Sequence, residues 1–103
     1  MKYVHIRKRL PNGQVATHGG ITVIFDTTKV DGENVLVEGC YAFCCDRDNY
    51  NRKLGRKIVD ARFKACDPHH AFLFNASASQ NIVAAVVEKV QQIRNEWQAS
   101  RVV

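Results

Sequence analysis

Two prolines and six glycines in 103 residues leave no linker and no low-complexity tract, and no internal repeat divides the chain. Apolar runs are short, far from the ~20 residues a membrane helix needs. The opening Met1-Lys2-Tyr3-Val4-His5-Ile6 alternates polar with apolar residues and lacks the apolar core of an export signal. The four cysteines are therefore expected as free thiols in a reducing compartment. These absences predict one cytoplasmic domain spanning residues 1–103, with no membrane segment. Apolar residues make up 46% of the chain and charged ones 24%, the balance of an ordinary globular domain.

The formal charge of +5 favours acidic partners without naming one. Its distribution says more. Residues 1–10 carry Lys2, Arg7, Lys8 and Arg9 with no acid, and residues 46–65 carry seven basic groups against three acidic ones. Between them, Asp26, Asp31, Glu33 and Glu38 outnumber Lys29.

Hydrophobic patterning predicts an α+β fold, a small and mainly antiparallel sheet of three to four strands with two helices packed on one face. Tyr3–Leu10 reads as a strand, and Pro11-Asn12-Gly13 supplies a hairpin turn. Gly19-Gly20 marks a bend or bulge before the β-branched and aromatic run Ile21–Phe25. After the turn signal Asp31-Gly32, Val35–Cys45 has apolar residues on both alternating faces, as a central strand does. Asp46 is placed to cap a helix over residues 47–65, with Tyr50, Leu54, Ile58, Ala61 and Ala65 forming its core arc. Cys66-Asp67-Pro68 ends that helix, and Ala71–Phe74 is a short strand. Ser77-Ala78-Ser79-Gln80 has the form of a capping box before a second helix, where Ile82, Val86, Val90, Ile93 and Trp97 recur at helical spacing. Residues Ser100 to Val103 are expected to fray.

The first helix carries the functional signal. Lys53, Arg56, Lys57 and Lys64 form a basic arc, and Arg52, Lys53, Arg56 and Lys57 fall within two turns with no acid among them. The residues expected to bind are Arg52, Lys53, Arg56, Lys57 and Lys64, suited to phosphates or to an acidic protein face. The bland alternative is a solvated face, with Asp60 pairing with Arg56 or Lys64. A further apolar line, Gly55, Val59 and Phe63, implies another contact. The C-terminal helix is expected to cover it, the alternative being a partner or a second copy.

Other chemistry has weaker sequence support. Cys66, His69 and His70 with Cys40, Cys44 and Cys45 do not have the paired ligand spacing of a structural zinc site, so neither a metal nor a cofactor is expected. No histidine lies in a nucleophile pattern. The rival functions are a small hydrolase or nuclease using His69, His70 and a lysine, and a structural homodimer built through Val59, Phe63 or Trp97. No zinc-finger, ribonucleoprotein or helix-turn-helix pattern supports direct base reading.

The stretch Gly19-Gly20-Ile21-Thr22-Val23-Ile24-Phe25, followed by Cys44-Cys45-Asp46-Arg47-Asp48-Asn49-Tyr50-Asn51-Arg52-Lys53-Leu54-Gly55-Arg56, resembles small accessory proteins of tailed bacteriophages over residues 19 to 62. The resemblance implies expression in a bacterial host and a binder or inhibitor of host machinery. It assigns no activity and no site residue.

Overall fold

The computed structural model describes residues 1–101. Four strands, β1 (Lys2–Ile6), β2 (His18–Lys29), β3 (Asn34–Asn49) and β4 (Ala71–Ser77), form one sheet in that order. Each pair of neighbours is antiparallel. Helix α1 (Arg52–Lys64) and a 3₁₀ turn (Pro68–His70) connect β3 to β4, and α2 (Ile82–Arg101) closes the chain. The α+β fold and the antiparallel sheet match the patterning.

The helices do not share one face. Side chains alternate across a strand, and on β2 Ile21, Val23 and Phe25 pack with Val86 and Val90 of α2. The intervening Ile24 packs with Cys40, Ala42 and Val59 of α1. The sheet is thus the middle of three layers, which is why β2 is buried continuously from Gly19 to Phe25.

This layering exchanges the expected roles of two α1 stripes. Val59 is fully buried against the sheet and Phe63 packs on the same cluster. A side-chain carbon on Gly55 would run into the Thr22 hydroxyl and meet its Cβ at 2.9 Å. The Gly55, Val59 and Phe63 line is therefore α1's seat on β2 and β3, not a surface for α2 or for a second copy. In the expected core arc, Leu54 is 55% exposed, Ala61 and Ala65 are exposed and Ile58 is half-buried.

The helix starts also move. Residues Asp46 to Asn49 extend β3, and α1 is capped by Asn51, whose Oδ1 accepts from the Leu54 amide at 3.0 Å. The expected cap at Asp46 lies inside β3. Before α2, Asn81 is the capping residue, accepting from the Ala84 amide at 3.1 Å. Ser77 and Gln80 instead close a turn, in which the Ser77 amide donates to Gln80 Oε1 at 3.3 Å. At the end of α1, Cys66 takes the left-handed conformation (φ 52°) that closes many helices, and the Asp67 amide bonds back to Arg62 O. Of the residues expected to fray, Ser100 and Arg101 are helical, while Val102 and Val103 lie outside the described residues.

Register breaks between His18 and Gly20, where Gly20 pairs with Cys44 but His18 pairs with Asn49. Gly20 has φ 140°, and a Cβ there would sit 3.0 Å from Ile6 O and 3.1 Å from the Tyr50 ring. The bulge expected at Gly19-Gly20 brings Tyr50 close to β1 and β2.

Candidate functional site

On the α1 face, β1 contributes Tyr3 opposite Ile24 and His5 opposite Thr22, whereas Lys2, Val4 and Ile6 pair with residues of the α2 face. The β1 edge of the α1 face therefore collects Tyr3, His5, Arg7, Tyr50, Arg52 and Arg56. Lys2 does not join it, so the basic first strand extends the helix surface chiefly through Arg7.

A hydrogen-bonded centre anchors this region. Tyr50 Oη donates to Ile21 O at 3.1 Å and lies 2.8 Å from Thr22 Oγ1 and 2.7 Å from His5 Nδ1. With the phenol proton given to Ile21, the Thr22 hydroxyl and the His5 Nδ1–H donate to Tyr50. The Arg7 guanidinium stands 5.0 Å from the Tyr50 ring centroid and donates to Ala16 O at 2.7 Å. Burial, and then the charges of Arg52 and Arg56, hold the His5 pKa below its usual value. His5 is therefore a neutral packing and hydrogen-bonding residue beside cations.

Around this centre the charges face outward. Arg56 lies 5.8 Å from the Tyr3 ring centroid, and the Tyr3 hydroxyl donates to Asp60 Oδ1 at 2.6 Å. That bond raises the Tyr3 pKa, with smaller contributions from burial and the Asp60 charge. It also occupies Asp60, and neither Arg56 nor Lys64 forms an ion pair with it among the described residues. Lys53, Lys57 and Lys64 are exposed on the outermost line of α1. From Lys53 to Lys64 that line runs about 16 Å at 1.5 Å per residue.

The start of α1 adds to the field. Its first turn holds no acid, and Arg52 and Lys53 lie where the helix dipole already presents positive charge. Such an arrangement costs the helix stability when empty and favours an anion there. Arg62, by contrast, points inward and donates to Tyr41 O at 2.8 Å.

All five residues expected to bind, Arg52, Lys53, Arg56, Lys57 and Lys64, thus lie on α1 away from its sheet contact. Arg52 and Arg56 turn towards β1, and the three lysines face solvent. Tyr3, His5 and Arg7 were missed as site residues because nothing local in the sequence pairs β1 with α1. The two basic segments and their aromatics were the available signal.

The histidines of the rival hydrolase reading stand elsewhere. His70 Nδ1 lies 2.8 Å from Asp67 Oδ2 beside the Tyr41 ring, and His69 is exposed on the same turn. Among the described residues, no Ser, Thr, Cys or Lys side chain is hydrogen-bonded to either ring. Val59, one contact of the rival dimer, is fully buried. Among the described residues, no three His, Cys, Asp or Glu side chains are grouped to hold a metal, and no helix is long and apolar enough to cross a membrane.

No protein-family model, curated protein or solved structure matches the chain.

Proposed function

We propose that the protein is a non-enzymatic binder of nucleic-acid backbone, gripping phosphates with α1 and the adjoining β1 edge. The observation that carries this reading is the solvent-facing line Lys53, Lys57 and Lys64, flanked by Arg52 and Arg56 beside Tyr3, with no ion pair to these five residues among the described ones. A surface on which five cations outnumber the single carboxylate of Asp60 over about 16 Å suits a partner with repeating negative charge. A phosphate chain has that property by construction, whereas an acidic protein face needs a matching run of carboxylates. Tyr3, 40% exposed, offers a ring on which a base can stack. The absence of a base-reading motif in the sequence points to binding through the backbone rather than to sequence choice. The resemblance to phage accessory proteins would place this activity in the cytoplasm of a bacterial host, where occluding a nucleic acid from host machinery is inhibitory.

Fluorescence anisotropy with a labelled single-stranded oligonucleotide, titrated across salt concentrations, tests the reading. Each phosphate contact should contribute about 0.7 to the slope of log K against log salt for a single strand. Reversing Lys53 and Lys57 to Glu should flatten that slope by at least about 1.4. A matched reversal of Lys29 and Lys89 should change it less. Binding to polyglutamate but not to the oligonucleotide would assign the surface to an acidic protein. Binding to neither would refute the proposal.

A further inference from the structure

The opposite edge of the sheet has a different character. Strand β4, Ala71-Phe72-Leu73-Phe74-Asn75-Ala76-Ser77, contains no charged residue and no proline, and it ends the strand order. Among the described residues, its outer backbone groups therefore have no neighbouring strand. Natural sheets guard such edges with charge, proline, bulges or a covering element, and β4 has neither charge nor proline. Its side chains are partly open too. Leu73 is 61% exposed on the α1 face, next to a groove of about 360 Å³ lined by Phe63, Cys66, Pro68 and Ala71 together with Glu38, the residue opposite Leu73 on β3. On the α2 face, Phe72 and Phe74 stack with centroids 6.0 Å apart.

We propose that β4 pairs antiparallel with β4 of a second copy of this chain, joining two sheets into one of eight strands. Two features select a second copy over another partner. The first is charge. The chain's +5 would repel a copy that approached the basic edge, but β1 and β4 are separated by three strand spacings, about 14 Å. That exceeds the screening length of about 8 Å at physiological salt, and an uncharged strand offers an acidic partner nothing to recognise. The second is self-complementarity. A two-fold axis at Leu73 sets Leu73 against its own copy on one face and Phe72 against Phe74 of the other chain on the opposite face. Moving the axis to Phe74 would set Leu73 against Asn75 and Phe72 against Ala76. The Leu73 register sets the three largest apolar side chains of β4 against one another, with Ala71 against Asn75 beyond them, and a two-fold pairing closes after two chains. The pairing does not depend on what the basic edge binds.

Sedimentation of the wild type over two decades of concentration tests the proposal, with Leu73→Lys and the comparably exposed Leu54→Lys alongside. The wild type and Leu54→Lys should move from the 11.6 kDa chain mass to twice that value, and raised salt should not dissociate them. Leu73→Lys should stay at the chain mass. The register is tested by Leu73→Cys, which should form an intermolecular disulfide on mild oxidation because directly opposed Cα atoms lie about 4.5–5.5 Å apart. Leu54→Cys and the wild type, which share the native cysteines, should not. A wild type monomeric throughout, dimers that persist in Leu73→Lys, or equal cross-linking by Leu54→Cys would each overturn the proposal.

Discussion

The two edges of one small sheet differ in almost every physical respect. At the β1 edge the α1 face collects arginines, tyrosines and a histidine held neutral, and the outward line of α1 adds three lysines. At the β4 edge there is a seven-residue strand without charge, beside a mainly apolar groove that Glu38 of β3 also lines. The difference follows from α1. It is 13 residues long and packs on β2 and β3, so it leaves both margins of its own face open. What each margin exposes then decides what it can meet: a screened, salt-sensitive attraction on one side and an apolar, salt-insensitive contact on the other.

Removing the common support should erase both edges together, and this is the largest effect expected. Val59 seals the α1 face and Val90 the α2 face, each fully buried. Val59→Asp or Val90→Asp would force a carboxylate without a partner into the interior and should cost about 4 kcal/mol or more. Circular dichroism should then show no cooperative melt for either variant. A folded Val59→Asp protein would mean that α1 does not seat on the sheet through this line.

A pair of surface variants should separate the edges. Lys53→Glu/Lys57→Glu should abolish most oligonucleotide binding and leave dimer formation unchanged, whereas Leu73→Lys should do the reverse. Each substitution should change stability by less than about 0.5 kcal/mol, as exposed positions usually do. Loss of both properties in either variant would show that the edges are coupled.

Gly55 gives a smaller effect with an unusual sign. Alanine is normally better than glycine inside a helix by about 1 kcal/mol, but here the added carbon would meet Thr22. Gly55→Ala should therefore lower stability, by roughly 1–3 kcal/mol as for an overpacked core. Thr22→Ala removes the hydroxyl but leaves the Cβ contact, so the double variant should be more stable than the sum of the single changes predicts. Chemical denaturation would measure this, and strict additivity would place the helix further from β2.

The smallest effect is in pH. The folded His5 takes a proton less readily than the unfolded one, because of burial and then Arg52 and Arg56. Its contribution to stability is complete above the ordinary histidine value of about 6.5 and is lost progressively as pH falls below it. His5→Gln should shrink the fall in melting temperature between about pH 7 and pH 5.5. The depressed carboxyls of Asp31, held chiefly by the Asn34 side chain, and Asp67, held chiefly by His70, act only at more acid pH. An anion bound at Arg52 and Arg56 would offset their repulsion of His5, so oligonucleotide affinity should rise as pH drops through the same window.

The sequence made the strands and both helices legible, because alternation and helical spacing are local signals. It also held the clue to the three layers, since Ile21–Phe25 and Val35–Cys45 are apolar on both faces and α1 has two apolar stripes. One-sided helices leave one face of such strands in water, and that conflict was the sign of a helix on each side. Which α1 stripe faces the sheet was not legible, because Leu54, Ala61 and Ala65 are as apolar by type as the buried line. Only the notch at Gly55, matched to Thr22 across the chain, decides it. The basic residues of α1 could be named because exposed charge needs no tertiary partner. Tyr3, His5 and Arg7 could not, because their place in the site comes from the Tyr3–Ile24 and His5–Thr22 pairings and from the bulge that delivers Tyr50.

Amide chemical-shift mapping during titration with a single-stranded oligonucleotide tests the division of labour most directly. The account predicts perturbations confined to residues 3–7 and 50–64, growing as salt is lowered, with Ala71–Ser77 unmoved. Perturbations centred on β4 or α2, or none at any salt concentration, would contradict it.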